Sequence, residues 1–217
     1  MVMAVRAVPW WGVISSAGAP VLLIGGWTVA AGLQPRSFNP VADTISALAA
    51  ENAADRWVMS FALLGLGACH VVTALALRPG AWPGRLVLAV GGAATILVAV
   101  NPEPAGGGSL PHTAWAATGF IALAVWPAVS FVRGPSAPGG LRVAVCVSAA
   151  TVMLGLLVWF YVELATGARH LGLAERVLAG AEAVWPLAVV LTCYRGQSPP
   201  RPRSPGPARS WFRRGEG

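Results

Sequence analysis

The sequence predicts an all-α, polytopic membrane protein with six transmembrane helices, and three observations support this fold class. Of the 217 residues, 56% are hydrophobic and only 11% are charged, whereas soluble domains carry about 25% charged residues. The apolar residues form six runs that reach or approach the roughly 20 residues needed to cross a membrane. Segments rich in proline and glycine separate these runs. We also expect a short outer amphipathic helix between helices one and two.

The six predicted spans follow the apolar runs in order. The first run is too long for a signal peptide, whose apolar region has about 7–15 residues, although cleavage near residue 31 is an alternative. Residues 1–194 are predicted to form the transmembrane domain. Residues 195–217, rich in Arg and Pro, are predicted to be a disordered cytoplasmic tail. The predicted spans are 10–33, 55–77, 86–100, 111–132, 141–166 and 173–194.

The segment 40–51 is predicted to form the amphipathic helix, which lies at the outer membrane surface or dips into the membrane. Asn39 followed by Pro40 is a helix-start signal, because asparagine caps free N–H groups and proline is tolerated at the first helical position. Asp43 and Ser46, three residues apart, share a face that differs from the apolar one. The apolar face repeats at helical spacing through Val41, Ile45 and Leu48.

The distribution of arginine predicts the orientation. All the positive charge that gives the net +7 comes from arginine, at the ends of apolar runs and in the tail. This pattern favours membrane lipids as partners and argues against nucleic acid. With both termini cytoplasmic, eleven arginines lie inside and four outside, so we expect a multi-pass protein of a bacterial plasma membrane. The four outer arginines are Arg36, Arg56, Arg169 and Arg176.

Acidic residues and histidines are divided between the two predicted sides of the membrane more unevenly than arginines are. Of the acids, only Glu216 is predicted inside, and His112 and His170 are predicted outside, whereas His70 falls nearer the inner face. Polar groups in a membrane domain are costly and usually face the bundle interior or a wet cavity. The sequence therefore predicts an outward-facing polar pocket. The outer acids are Asp43, Glu51, Asp55, Glu103, Glu163, Glu175 and Glu182.

The candidate catalytic residues are Asp43, Ser46 and His112. Asp43 and His112 are predicted to act as general bases that activate water, or to activate the hydroxyl of Ser46 as a nucleophile. The alternatives are a helix cap for Asp43, a solvated hydroxyl for Ser46 and an interfacial side chain for His112. No nucleophile-elbow motif surrounds the serine.

The candidate ligand-binding residues are Glu175, Arg176 and Glu182. Arg176 is predicted to meet an anionic headgroup, and the carboxylates to set protonation or hydrogen bonding. Glu175 is alternatively a favourable charge at a helix amino terminus. Glu182, the deepest acid, is alternatively a structural partner of an arginine such as Arg56 or Arg176.

The sequence predicts no metal ion and no cofactor. A zinc site built from Asp43, His112, His170 and another acid is conceivable, but no HxxxH or HxxE spacing supports it. The three cysteines also lack metal-ligand spacing. Oligomeric state is not readable from the sequence.

Three motifs resemble a bacterial family of six-helix membrane proteins, domain of unknown function number 998. They are the Pro-x-x-Asp-Thr-Ile-Ser segment that starts at Pro40, the Asn101-Pro102 loop that leads to His112, and the Gly-x-x-Glu-Arg entry to helix six at Gly172. The resemblance covers about residues 11–194 and leaves out the tail. It implies a six-helix fold and the location of the site, but no reaction.

Three functions are consistent with this pattern. The leading hypothesis is a protein that binds or moves a lipid or small amphiphile at the outer leaflet. The alternative is a membrane-embedded hydrolase that acts on a lipid ester, amide or phosphate. A further alternative is a non-catalytic assembly subunit. Whether the protein is an enzyme is left open at this stage.

Overall fold

The computed structural model describes residues 7–196 and confirms an all-α fold. Each of its six long helices is long and apolar enough to cross a membrane, which supports a multi-pass membrane protein. Two 3-10 turns, Ser46–Ala49 and Gly139–Leu141, lie between helices. The six helices are α1 (Trp10–Gly32), α2 (Trp57–Ala76), α3 (Trp82–Val100), α4 (Leu110–Ser130), α5 (Val143–Thr166) and α6 (Leu171–Arg195).

The helices form a closed ring. Each packs mainly against its neighbours in the sequence, and α6 returns to pack against α1. Because successive helices run in opposite directions, their ends fall into two groups. One end of the bundle, here called the site end, contains Gly32, Trp57, Val100, Leu110, Thr166 and Leu171. The opposite, terminal end contains Trp10, Ala76, Trp82, Ser130, Val143 and Arg195.

Apolar side chains fill the ring and also cover its outside. At the terminal end, Leu88, Trp126 and Leu141 are fully buried in one cluster. A second cluster, which includes Leu23 and Leu48, lies toward the site end. Many other large apolar residues point outward, which suits a surface in contact with lipid.

The observed helix bounds differ from the predicted ones at informative places. Helix three begins at Trp82 instead of residue 86, because Pro83 occupies the first helical turn, where its missing N–H costs nothing. Helix six ends at Arg195, so the predicted tail loses its first residue to the helix. The rest of the predicted tail, apart from Gly196, lies outside the described residues.

The predicted helix over residues 40–51 is shorter in the structure. The segment forms one turn at residues 40–43, followed by the four-residue 3-10 helix Ser46–Ala49. Ile45, Leu48 and Ala49 are buried against the bundle instead of resting on the membrane surface. The segment therefore closes the site end of the ring.

Candidate functional site

The turn at residues 39–43 is closed by hydrogen bonds between its first and last residues. The Asn39 side chain accepts a hydrogen bond from the Val41 N–H at 3.0 Å, as a capping residue does. The carbonyl of Asn39 accepts from the N–H groups of Ala42 and Asp43. The Asp43 carboxylate in turn accepts from the Asn39 N–H at 2.7 Å. The predicted cap is therefore present, but it closes a single turn.

The turn does not extend into a helix because α6 takes its carbonyl groups. Arg176 donates from Nη1 to the carbonyls of Pro40 at 2.8 Å and Asp43 at 2.7 Å. The Leu173 N–H donates to the carbonyl of Val41 at 3.0 Å. In a continuing α-helix these carbonyls would accept from N–H groups four residues later. Long-range hydrogen bonds thus replace the predicted helical ones.

Two further residues in the first turns of α6 contact the loop between α1 and α2. A Cβ atom on Gly172 would overlap the carbonyl group of Asp43, so only glycine allows this approach. Glu175, which is 4% exposed, accepts a hydrogen bond from the Ile45 N–H and also interacts with the N–H of Ser46. The motif Gly172-x-x-Glu175-Arg176 therefore fixes the backbone that carries Ser46.

Ser46 and His112 meet at the centre of the site end. The Ser46 Oγ lies 3.0 Å from His112 Nε2, and the backbone oxygen of Asn101 lies 2.9 Å from Nδ1. His112 is held at the start of α4, where Ser109 caps its N–H. A Glu103 carboxylate oxygen lies 3.7 Å from the same Nε2.

This geometry determines the proton positions on the imidazole. A backbone carbonyl can only accept, so Nδ1 must carry the hydrogen that it donates to Asn101. In the neutral ring Nε2 is then the acceptor, and the hydroxyl of Ser46 donates to it. This is the arrangement in which a histidine removes a proton from a serine, with a third group that fixes the tautomer.

Below Ser46 a partly open cavity of about 60 Å³ extends into the bundle. Its wall is mainly apolar, with Leu23, Leu66 and Phe120 among its side chains. It also contains four buried polar side chains, Thr95, Glu175, His70 and Glu182, of which the last two are 0% and 1% exposed. Neither ring nitrogen of His70 nor Glu182 Oε1 has a hydrogen-bond partner within residues 7–196.

The structure thus brings Ser46 and His112 into contact and places Glu175 beside them. Asp43 binds its own turn through Asn39, and Arg176 Nη1 binds backbone carbonyls. Glu182 lines the deeper cavity. The catalytic and ligand-binding roles of these residues remain predictions.

Sequence reasoning missed three contributors to the site. The Asn101 carbonyl cannot be read from a side chain, although the Asn101-Pro102 pair marked its loop. The sequence position of His70 in helix two predicts a place nearer the inner face of the membrane, yet His70 lines the same cavity as Ser46. The close-approach role of Gly172 was visible only as part of a motif.

The described residues do not form a set of side-chain ligands for a metal ion. Among residues 7–196, no group of three or more His, Cys, Asp or Glu side chains is arranged to hold a metal ion. His112 has a serine hydroxyl and a backbone oxygen as its nearest ring partners.

Comparison with protein families identifies the family of this chain. A family model described as "Protein of unknown function (DUF998)" matches residues 16–192, which include α2 to α5, most of α1 and α6, and the whole site end. Searches of curated proteins and of solved structures each returned no match.

Proposed function

The chain belongs to the DUF998 family, whose function is unknown, and we propose that it is a membrane-embedded hydrolase that cleaves a lipid ester or amide. Ser46 is the nucleophile and His112 is the general base. The observation that carries this proposal is the 3.0 Å contact between Ser46 Oγ and His112 Nε2, with Nδ1 held by Asn101. Such pairs supply nucleophilic catalysis in many unrelated folds.

The reaction follows from the proton positions. Ser46 Oγ attacks the substrate carbonyl carbon while its proton passes to His112 Nε2. The bond to the leaving oxygen or nitrogen then breaks, and His112 returns the proton to that atom. Water, deprotonated by the same nitrogen, cleaves the Ser46 ester and releases a carboxylic acid. Glu103, 3.7 Å from Nε2, favours the imidazolium formed in each half-reaction.

The charges around Ser46 favour an ester or amide over a phosphate. Glu103 and Glu175 both lie next to the Ser46–His112 pair, and like charges disfavour a phosphate anion there. The positive charge of Arg176 is offset by Glu175 and Asp43, and its Nη1 is shared among three backbone carbonyls, whereas its buried Nη2 has no hydrogen-bond partner among residues 7–196. A neutral carbonyl group suits this environment better.

The substrate is proposed to reach the site from the outer leaflet. The arginine bias favours an outer location for the site end. In this proposal the loop that carries Ser46 lies at the interface between lipid and water. An amphiphile could present its carbonyl to Ser46 from this position while its chain stays in the hydrocarbon.

An active-site probe tests the proposal. The full chain in detergent is treated with an alkyl fluorophosphonate, and the modified residue is identified by mass spectrometry. We expect phosphonylation of Ser46 with loss of fluoride, and a rate about 10²- to 10⁴-fold lower in His112→Ala. Ser60→Ala is the matched control, because Ser60 is a buried serine at the same end whose Oγ has no partner among residues 7–196. Labelling that is absent, or unchanged in Ser46→Ala, would overturn the proposal.

The second candidate function is binding or movement of a lipid or small amphiphile. The observation in its favour is the apolar wall of the cavity beneath Ser46. Native mass spectrometry separates the two candidates, since a hydrolase converts the amphiphile and a binding protein carries it unchanged. A non-covalent lipid adduct together with unreactive Ser46 would favour the second candidate.

A further inference from the structure

We infer that the cavity beneath Ser46 binds the ammonium end of a short acyl group, so that the substrate is an ester or amide of an amine-bearing acid. This inference rests on the proposed hydrolase function and names its substrate class. It starts from Glu182 and His70, two buried polar side chains that the proposed reaction does not use.

Glu182 is an acidic group without a counter-charge. Its Oε1 has no hydrogen-bond partner among the described residues, and the ion pair found within 7–196 joins His112 to Glu103, not Glu182. A carboxyl group buried in a membrane bundle is costly and is usually retained for a ligand or a transport role. An ammonium group would supply both the charge and the N–H donors that Glu182 lacks.

His70 contributes a second acceptor in the same cavity. Both of its ring nitrogens lack partners among residues 7–196, and the neutral ring offers one of them as an acceptor. An ammonium group has three N–H donors, so it can bind Glu182 and His70 together. An inorganic cation would need several oxygen ligands, whereas most of this wall consists of carbon atoms.

The dimensions set the length of the acyl group. Glu182 lies seven residues after Glu175 on α6, which is about 10 Å along the helix at 1.5 Å per residue. Glu175 interacts with the backbone of Ser46, so Glu182 lies deeper in the bundle than the nucleophile. The cavity of about 60 Å³ holds roughly four to six water-sized atoms. A chain of about four carbons that ends in an amine fits this volume, and the Glu182 side chain together with an N–H···O contact of about 2.9 Å covers the rest of the distance.

Binding of n-butylammonium to the full chain tests this inference. The Ser46→Ala variant, which cannot turn over substrate, is placed in phosphatidylcholine nanodiscs, and its unfolding temperature is measured against n-butylammonium concentration. We expect a saturable rise, and an affinity about tenfold lower or worse when Glu182→Gln is added. Uncharged n-pentanol, of similar size, should give little effect in either protein.

A second variant keeps the test decisive if Glu182→Gln fails to fold. Ala179→Val adds two carbons to the cavity wall and leaves Glu182 in place, so it should weaken n-butylammonium binding by filling space. In wild-type protein, n-butylammonium should also slow phosphonylation of Ser46. No binding, or binding unaffected by both substitutions, overturns the inference.

The two proposals fail in different ways. If Ser46 reacts but n-butylammonium does not bind through Glu182, the hydrolase proposal stands and the amine-bearing substrate is excluded. If n-butylammonium binds through Glu182 but Ser46 is unreactive, the hydrolase proposal fails and the cavity is an amine-binding site of a non-catalytic protein.

Discussion

Both ends of the bundle use an arginine to bind backbone carbonyls, but over very different distances in the sequence. At the terminal end, Arg85 donates to the carbonyls of Ala74 and Leu75, 11 and 10 residues earlier, in the last turn of α2. At the site end, Arg176 donates to the carbonyls of Pro40 and Asp43, 136 and 133 residues earlier. The same chemistry therefore closes a local turn at one end and joins remote segments at the other.

This difference in sequence separation between the Arg85 and Arg176 hydrogen bonds indicates which end of the bundle presents polar side chains for function. At the terminal end, Arg85 satisfies backbone groups 10 and 11 residues away and Thr192 one that is 52 residues away, and the connections between helices span residues 77–81 and 131–142. At the site end, the long connection from α1 to α2 is held by α6, and Ser46 is thereby presented to His112. Four substitutions test this contrast, and they follow from the largest expected effect to the smallest.

Arg176→Gln should have the largest effect. It removes charge-assisted hydrogen bonds to three carbonyls, two of them in part-buried positions, at a cost of about 3 kcal/mol in the free energy of unfolding. It should also abolish phosphonylation of Ser46, because the loop loses its attachment to α6. Arg85→Gln is the matched variant and should lower stability while Ser46 stays reactive. Equal loss of labelling in both variants would contradict the contrast between the ends.

Gly172→Ala should come next. Its Cβ would overlap the carbonyl of Asp43, and relief of that overlap must move the loop, at a cost of about 2 kcal/mol. The control on the same helix is Gly180→Ala, whose Cβ would make only an ordinary contact with Trp27. Gly180→Ala should be neutral or slightly stabilising, since alanine favours helices. Thermal unfolding in detergent, followed by circular dichroism, gives both values.

Thr192→Val should have a smaller effect, confined to the terminal end. The Thr192 hydroxyl accepts from the Gly140 N–H at 3.0 Å, and its loss should cost about 1 kcal/mol. Thr28→Val is the control, because the Thr28 hydroxyl is exposed and binds only a carbonyl of its own helix. Reactivity of Ser46 should be unchanged in both proteins. A change in labelling with Thr192→Val would show that the two ends are coupled.

Asp43→Asn should have the smallest effect. Its carboxylate accepts one hydrogen bond, from the Asn39 N–H, and an amide oxygen can still accept there. We expect a loss of about 0.5 kcal/mol or less in stability and nearly normal phosphonylation of Ser46. A hundredfold loss of labelling in a folded Asp43→Asn protein would instead restore Asp43 as a catalytic residue.

The sequence predicted the six spans well because hydrophobicity and length determine them locally. It also gathered Ser46, His112, Glu175 and Glu182 at one end of the bundle. The helix over residues 40–51 is shorter than predicted for a non-local reason, since the carbonyls of Pro40, Val41 and Asp43 accept hydrogen bonds from α6 instead of from their own segment. The Asn101 carbonyl and the cavity position of His70 are likewise products of packing, which residue spacing does not reveal.

The order of synthesis gives the long-range attachment of the loop a biological consequence. The Ile45 N–H is separated from Glu175 by 130 residues, which a ribosome adds in roughly 7 to 26 seconds at 5–20 residues per second. During that interval Ser46 is already made, but nothing from α6 can hold it. A nascent chain therefore gains a completed Ser46–His112 site only after its last helix enters the membrane, and a chain that terminates early never acquires one.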